Sequence, residues 1–248
     1  MEKRFFVEGS DKIDVGSKII LTEDEHTHLS RVMRLRVGDE VECFQDGSDV
    51  FVCKILMETK TATTLEVLDS YPCLANPKVD ITLFQALPKL DKLELITQKL
   101  CEIGVSRIVP FYSKFCIAKP NEQKVERLKK IVVSASKQCG RTSLLQVDLP
   151  KKIAEILPIL KDFDFVLFAN EKEDAKNIGS ALLDMAKEIK GKERPSIAYV
   201  VGSEGGFSTE EIDLLAKVAI SVSFGKRILR TETASIFVAS LLCGMLEV

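Results

Sequence analysis

Two stretches towards the C-terminal end put flexible backbone next to charge, the combination that a small-molecule site needs. In the first, the apolar run 197–201 meets Gly202-Ser203-Glu204-Gly205-Gly206, and Ser208 and Glu211 follow at capping-box spacing. Glycines there let backbone N–H and C=O groups approach a ligand closely. The spacing is neither GxGxxG nor the GxxxxGK(S/T) pattern, and Glu204 puts negative charge where a polyphosphate would lie. The loop therefore suits a ligand without phosphates, and a cationic one best. A tight strand-to-helix turn with no ligand is the plain alternative.

The second stretch is Phe224-Gly225-Lys226-Arg227-Ile228-Leu229-Arg230-Thr231-Glu232-Thr233, followed by an apolar helix that includes Ala234, Ile236, Phe237, Val238, Leu241, Leu242 and Met245. Three cations just before a helix that is apolar almost all round are costly unless they face a groove or an anion. A surface cluster without function is the alternative. Weaker signals lie upstream. The segment 98–105 with Arg107 reads as an amphipathic helix stopped by Gly104, and Gln138-Cys139-Gly140-Arg141-Thr142 is the polar end of a basic helix, where Arg141 is placed to meet RNA.

Composition narrows the chemistry. Seven scattered cysteines with no CxxC spacing, and only His26 and His28, leave little for a metal site, so the expected reaction is metal-free with no histidine base. The start has no signal-peptide core and no segment has the length of a membrane span, so a cytoplasmic protein with free thiols is expected. Residues 1–75 carry 9 Lys+Arg against 15 Asp+Glu, whereas residues 78–141 carry 13 against 6. Such local positive surface suits a polyanionic partner, although a solvated helix face would read the same way.

The elements that must position these residues fall into two groups. Short strands are predicted at 4–7, 18–21, 41–44, 49–57 and 63–68, with turn signals at Asp46-Gly47 and Thr59-Lys60. One helix interrupts them, opened by a capping box of Thr22 and Glu25. This predicts a small β-barrel over residues 1–72, and the following segment with Pro72 and Pro77 reads as a linker. Over residues 77–248 strands (79–87, 107–111, 163–169, 196–201, 219–224) alternate with helices (91–103, 122–137, 173–190, 209–218). The prediction is an α/β domain with a mostly parallel sheet covered on both faces.

Taken together, these stretches resemble the RsmE-type uracil-N3 methyltransferases of small-subunit (16S) rRNA, within the SPOUT superfamily. The resemblance rests on residues 202–208, on Arg227-Ile228-Leu229-Arg230-Thr231-Glu232-Thr233-Ala234, and on their order after 98–105 and 138–141. It spans essentially the whole chain. His28-Leu29-Ser30-Arg31-Val32-Met33-Arg34 followed by Gly38-Asp39 is similar to that family's PUA-like RNA-binding domain. Ser203 and Leu145 depart from it, standing where the family usually has proline.

The resemblance implies a SPOUT-type trefoil-knotted parallel-sheet domain and a homodimer with the C-terminal helix near its interface. It also implies S-adenosyl-L-methionine bent against loops 168–171, 202–206 and 224–230. The cofactor-binding residues would be Phe168 and Asn170; Gly202, Ser203, Glu204, Gly205 and Gly206; and Phe224, Gly225, Ile228, Leu229 and Arg230. The RNA-binding residues would be Arg4, Arg31, Arg34 and Arg36, forming one basic face on the barrel, with Lys137, Arg141 and Arg227. Methyl transfer is an in-line displacement that depends on positioning. Uridine N3 must lose a proton, so a cation (Arg230, helped by Arg141) would stabilise the charge left on the ring. Glu204 and Glu232 are the nearest carboxylates for the proton, Glu232 serving alternatively as a loop anchor. Two rival readings remain: ribose 2′-hydroxyl methylation and a non-catalytic ribosome-assembly factor. A dinucleotide oxidoreductase is disfavoured by the acidic loop.

Overall fold

Alternation of apolar and polar residues builds the first sheet. In β2 (Lys18–Thr22) Ile19 and Leu21 point inward while Lys18, Ile20 and Thr22 stay exposed. The computed structural model describes residues 3–9, 11–116, 122–171, 173 and 175–246. The sheet also contains β1 (Arg4–Phe6), β3 (Glu40–Phe44), β4 (Val50–Glu58) and β5 (Ala62–Tyr71), in the order β1-β3-β4-β5-β2. β1 runs parallel to β3 and the remaining pairs are antiparallel. Register shifts at Val52/Cys53 and Ile55/Met57 bend the long strands, the usual effect of a bulge. Phe5, Leu29, Val41, Cys53 and Leu65 form the core of this unit.

Between β2 and β3 lie α1 (Glu23–Thr27) and a π-helical turn, His28–Val32. The capping box expected of Thr22 and Glu25 does not form. Thr22 makes no side-chain cap, and both carboxylate oxygens of Glu25 instead accept from Lys137 at 2.8 Å.

That ion pair reflects the make-up of this unit, which is Met1–Asn76 together with Val133–Leu144. The later segment is tied in by side chains. Asn76 accepts from the backbone of Thr142 and Ser143 at 2.8 Å each, Thr142 donates to the Ser48 carbonyl, and Asp46 accepts from the Leu144 N–H. Three cations expected to meet RNA are spent in this unit on internal contacts, because a buried charge is tolerated only when paired. Arg4, 7% exposed, donates to Glu42 at 2.8 and 2.6 Å and to the Gly140 carbonyl. Lys137 pairs with Glu25 and lies over the Phe5 ring. Arg141, 2% exposed, donates to the Ser143 carbonyl at 2.5 Å. Arg31, Arg34 and Arg36 are exposed. The expected basic face therefore lacks Arg4.

The second unit, Pro77–Val132 with Leu145–Val248, is built on strands apolar along their length. Its elements are β6 (Asp80–Ala86), α2 (Leu90–Ile103), β7 (Arg107–Tyr112), α3 (Glu122–Cys139, ending in the first unit), β8 (Gln146–Val147), β9 (Lys151–Lys152) and α4 (Ile153–Leu160). These are followed by β10 (Phe165–Ala169), α5 (Ile178–Glu188), β11 (Ser196–Val201), α6 (Thr209–Leu215), β12 (Ile220–Val222) and α7 (Thr231–Leu246). The sheet order is β12-β10-β11-β6-β7-β8, parallel throughout, with β9 also on β7. β6 and β11, buried almost end to end, lie at its centre, as a sheet covered on both faces requires.

Local signals set several boundaries. Gly104 takes the left-handed conformation (φ 114°) that ends α2, and Ser208 and Glu211 form the capping box that opens α6. α5 begins at Ile178 behind the Asn177 cap, later than the predicted 173; residue 174 lies outside the described residues. α4, with Pro158 inside it, and the two-residue strands β8 and β9 had no predicted counterpart. Among the described residues no helix is long and apolar enough to cross a membrane.

The Glu42 carboxyl is held below the ordinary glutamate range. Burial opposes its charge, but donation from Tyr71 and Arg4 outweighs that cost. A depressed folded-state pKa stabilises the fold above the ordinary value near 4.5 and is lost as pH falls through the folded value. Urea unfolding from pH 7 to 3 should show stability falling below about pH 4.5, with a shallower fall in Glu42→Gln.

Candidate functional site

β10, β11 and β12 all end at the same edge of the sheet, and the loops leaving them enclose a cavity of about 900 Å³. The crevice beyond the carboxyl ends of parallel strands is where α/β sheets bind ligands. Apolar side chains on the lining include Val201, Phe207, Phe224 and Leu229, and the charged ones are Lys92, Glu171, Glu173, Glu204, Lys226, Arg227 and Arg230.

Of the residues expected to bind a cofactor, Asn170, Gly202, Ser203, Glu204, Gly206, Phe224, Gly225, Ile228, Leu229 and Arg230 line this one cavity. Phe168 does not. It is fully buried among Phe84, Phe111 and Val200, because alternation along β10 turns it into the core, and the lining begins at Ala169. Gly205 faces away: a Cβ there would lie 2.7 Å from the Cβ of Phe115. Arg227, expected to meet RNA, is exposed on the same lining.

The loop after β11 is pinned from beneath. Gln85, a fully buried amide in β6, donates to the Ala86 carbonyl at 2.9 Å, the Gly202 carbonyl at 3.3 Å and the Thr231 hydroxyl at 3.0 Å. Thr231 in turn donates to the Gly202 carbonyl at 2.6 Å. Ser235 donates to Gln85 Oε1 at 2.5 Å, and buried Tyr199 donates to the Ser235 carbonyl at 3.0 Å. Sequence reasoning passed over Gln85; its signal is one amide in an otherwise apolar, fully buried strand end.

Charge on the rim is also organised. Lys92 Nζ lies 3.2 Å from Glu204 Oε1 and 3.2 Å from Glu232 Oε2, and Glu204 accepts from the Lys89 N–H at 3.3 Å. Burial pushes the Glu204 carboxyl up, but its own N–H, that of Lys89 and the Lys92 ammonium outweigh it and hold it below its ordinary range. The Ser203 hydroxyl is buried with no hydrogen-bond partner among the described residues. An unspent donor in the wall, glycine backbone, an apolar side and paired carboxylates together fit a cation-bearing, phosphate-free ligand.

Residues 75–243 match the model of an RNA methyltransferase domain, and residues 21–68 that of an RNA methyltransferase PUA domain. The ribosomal RNA small subunit methyltransferase E of Rickettsia conorii is 31% identical over 92% of this chain and 90% of its own length. The chain belongs to the ribosomal RNA small subunit methyltransferase E family. The family member of Bacillus subtilis is 29% identical over 96% of this chain and 94% of its own. The Neisseria gonorrhoeae member, whose crystal structure holds S-adenosyl methionine, superposes with a TM-score of 0.86 at 25% identity, covering 99% of this chain and 98% of that one. The fold is accordingly an α/β methyltransferase fold on a parallel sheet, with an N-terminal PUA-like domain. β10 lies between β12 and β11, so the chain steps past it on leaving β11, and α7 then returns onto β6 and β11.

The backing of Gly205 gives a direct test. In Gly205→Ala the methyl group meets Phe115, so either the ring or the loop must shift. Titration of S-adenosylmethionine by calorimetry should show at least tenfold weaker binding, while the thermal unfolding midpoint changes by only a few degrees.

Proposed function

We propose that this chain transfers a methyl group from S-adenosyl-L-methionine to N3 of a uridine in small-subunit (16S) rRNA. The observation that carries the reading is the convergence of the three post-strand loops on one cavity lined by glycine backbone, carboxylates and Arg230. The relatives named for small-subunit rRNA methylation support the substrate class.

When bound, S-adenosylmethionine supplies an electrophilic methyl carbon. The chain must then hold N3 in line with it and stabilise the charge left when the N3 proton departs. Arg230 is exposed on the cavity wall and is assigned that electrostatic role. Arg141, the expected helper, is buried on Ser143, so the reading places the task on Arg230 alone. Glu204 is a poor proton acceptor: its carboxyl titrates below its usual range and is held by Lys92 and the Lys89 N–H. Its role in this reading is structural, with the proton leaving to water or to the RNA. Arg31, Arg34 and Arg36 are the proposed phosphate contacts, so RNA binding should weaken steeply with salt. The reading further takes the protein as a cytoplasmic homodimer associating through α7 and acting on the small ribosomal subunit.

The deciding experiment incubates small subunits lacking the modification with the protein and methyl-labelled S-adenosylmethionine, then identifies the labelled nucleoside by mass spectrometry. N3-methyluridine is the expected product. Label on a ribose would replace the reading with 2′-O-methylation, and RNA binding without label would favour an assembly factor. Arg230→Ala should lower turnover by about 10²–10³ with a much smaller loss of donor affinity.

A further inference from the structure

Among the described residues Lys92 is the one cavity-lining side chain contributed by α2, and neither the methyl-transfer chemistry nor RNA contact uses it. Its ammonium sits equidistant, at 3.2 Å, from two carboxylates carried by different parts of the wall. Glu204 belongs to the glycine loop after β11, and Glu232 to the first turn of α7. Lys92 is 21% exposed, with Glu204 and Glu232 at 36% and 15%, so the group is shielded enough for the charges to act on one another. The backbone N–H of Lys89, at the start of α2, reaches the same Glu204 carboxylate. Take away the ammonium and two negative charges face each other across the seam between loop and helix.

We infer that Lys92 is a positioning residue: an ionic clasp that holds the glycine loop against the start of α7 and so sets the width of the methyl-donor cavity. This rests on the cavity being the donor site. The remaining charged groups on the lining, Glu171, Glu173, Lys226, Arg227 and Arg230, come from the loops after β10 and β12 and are not ion-paired to this group. The clasp carries a net charge of −1, which also suits a ligand bearing sulfonium and ammonium groups.

The test is calorimetric titration of S-adenosylmethionine into the wild type, Lys92→Met and Lys92→Arg at pH 7.5, with thermal unfolding as a control. Lys92→Met keeps much of the apolar stem and removes the charge. It should bind the donor at least tenfold more weakly, and Lys92→Arg should stay within threefold of the wild type. A role limited to packing by the stem would leave Lys92→Met close to the wild type, because methionine keeps much of that stem. Wild-type protein that fails to bind S-adenosylmethionine would overturn the donor-site reading and this one with it. Normal wild-type binding with Lys92→Met within threefold would overturn the clasp alone. Should Lys92→Met not fold, a Lys92→Arg that folds but binds tenfold more weakly would equally count against it.

Discussion

The cavity depends first on a hydrogen-bonded amide where none is expected. Gln85 lies in the middle of the sheet with no exposure, and its side chain joins β6 to the glycine loop and to the start of α7. Each such bond contributes only about 0.5–1.5 kcal/mol net, yet leaving one partner unpaired in the interior costs about 1–3 kcal/mol. The asymmetry makes the network a specifying device. Any packing that moves Gly202 or Thr231 leaves a buried amide, hydroxyl or carbonyl unsatisfied. Tyr199, through the Ser235 carbonyl, extends the same condition into β11.

A wall fixed from beneath allows the rim to be charged without collapsing. Carboxylates at Glu204 and Glu232 stand beside helix N-termini, where aligned backbone dipoles favour negative charge, and Lys92 balances them. Arg227 and Arg230 line the same cavity from the loop after β12. Acidic and basic groups thus share one cavity with an apolar side, a distribution suited to a ligand that is part zwitterion and part aromatic base. In the proposed reading the same arrangement gives Glu204 a structural role, since its hydrogen bonds and Lys92 favour the charged carboxylate.

Much of this was legible in the residues. The apolar runs of β6, β10 and β11 announced a parallel sheet, Gly104 and the Ser208/Glu211 pair marked helix ends, and the two loops with glycine beside charge marked the ligand edge. What escaped depends on partners far away in the chain. Arg4 looks like a surface cation until Glu42 and Gly140 are beside it, and Glu25 looks like a cap until Lys137 takes it. Lys92 and Gln85 gain their meaning only from Glu232 and Thr231, about 140 positions on. The strand order, with β10 between β12 and β11, has no local signature either.

Three loops, those after β11 and β12 held by the Gln85 network, are proposed to form the methyl-donor site. A crystal structure with S-adenosylmethionine bound tests this most directly. The account predicts the donor in a bent form inside the cavity, touching the loops after β10, β11 and β12, with the Gln85, Thr231 and Ser235 hydrogen bonds intact. A donor bound elsewhere, or one that enters only by breaking those bonds, would contradict it.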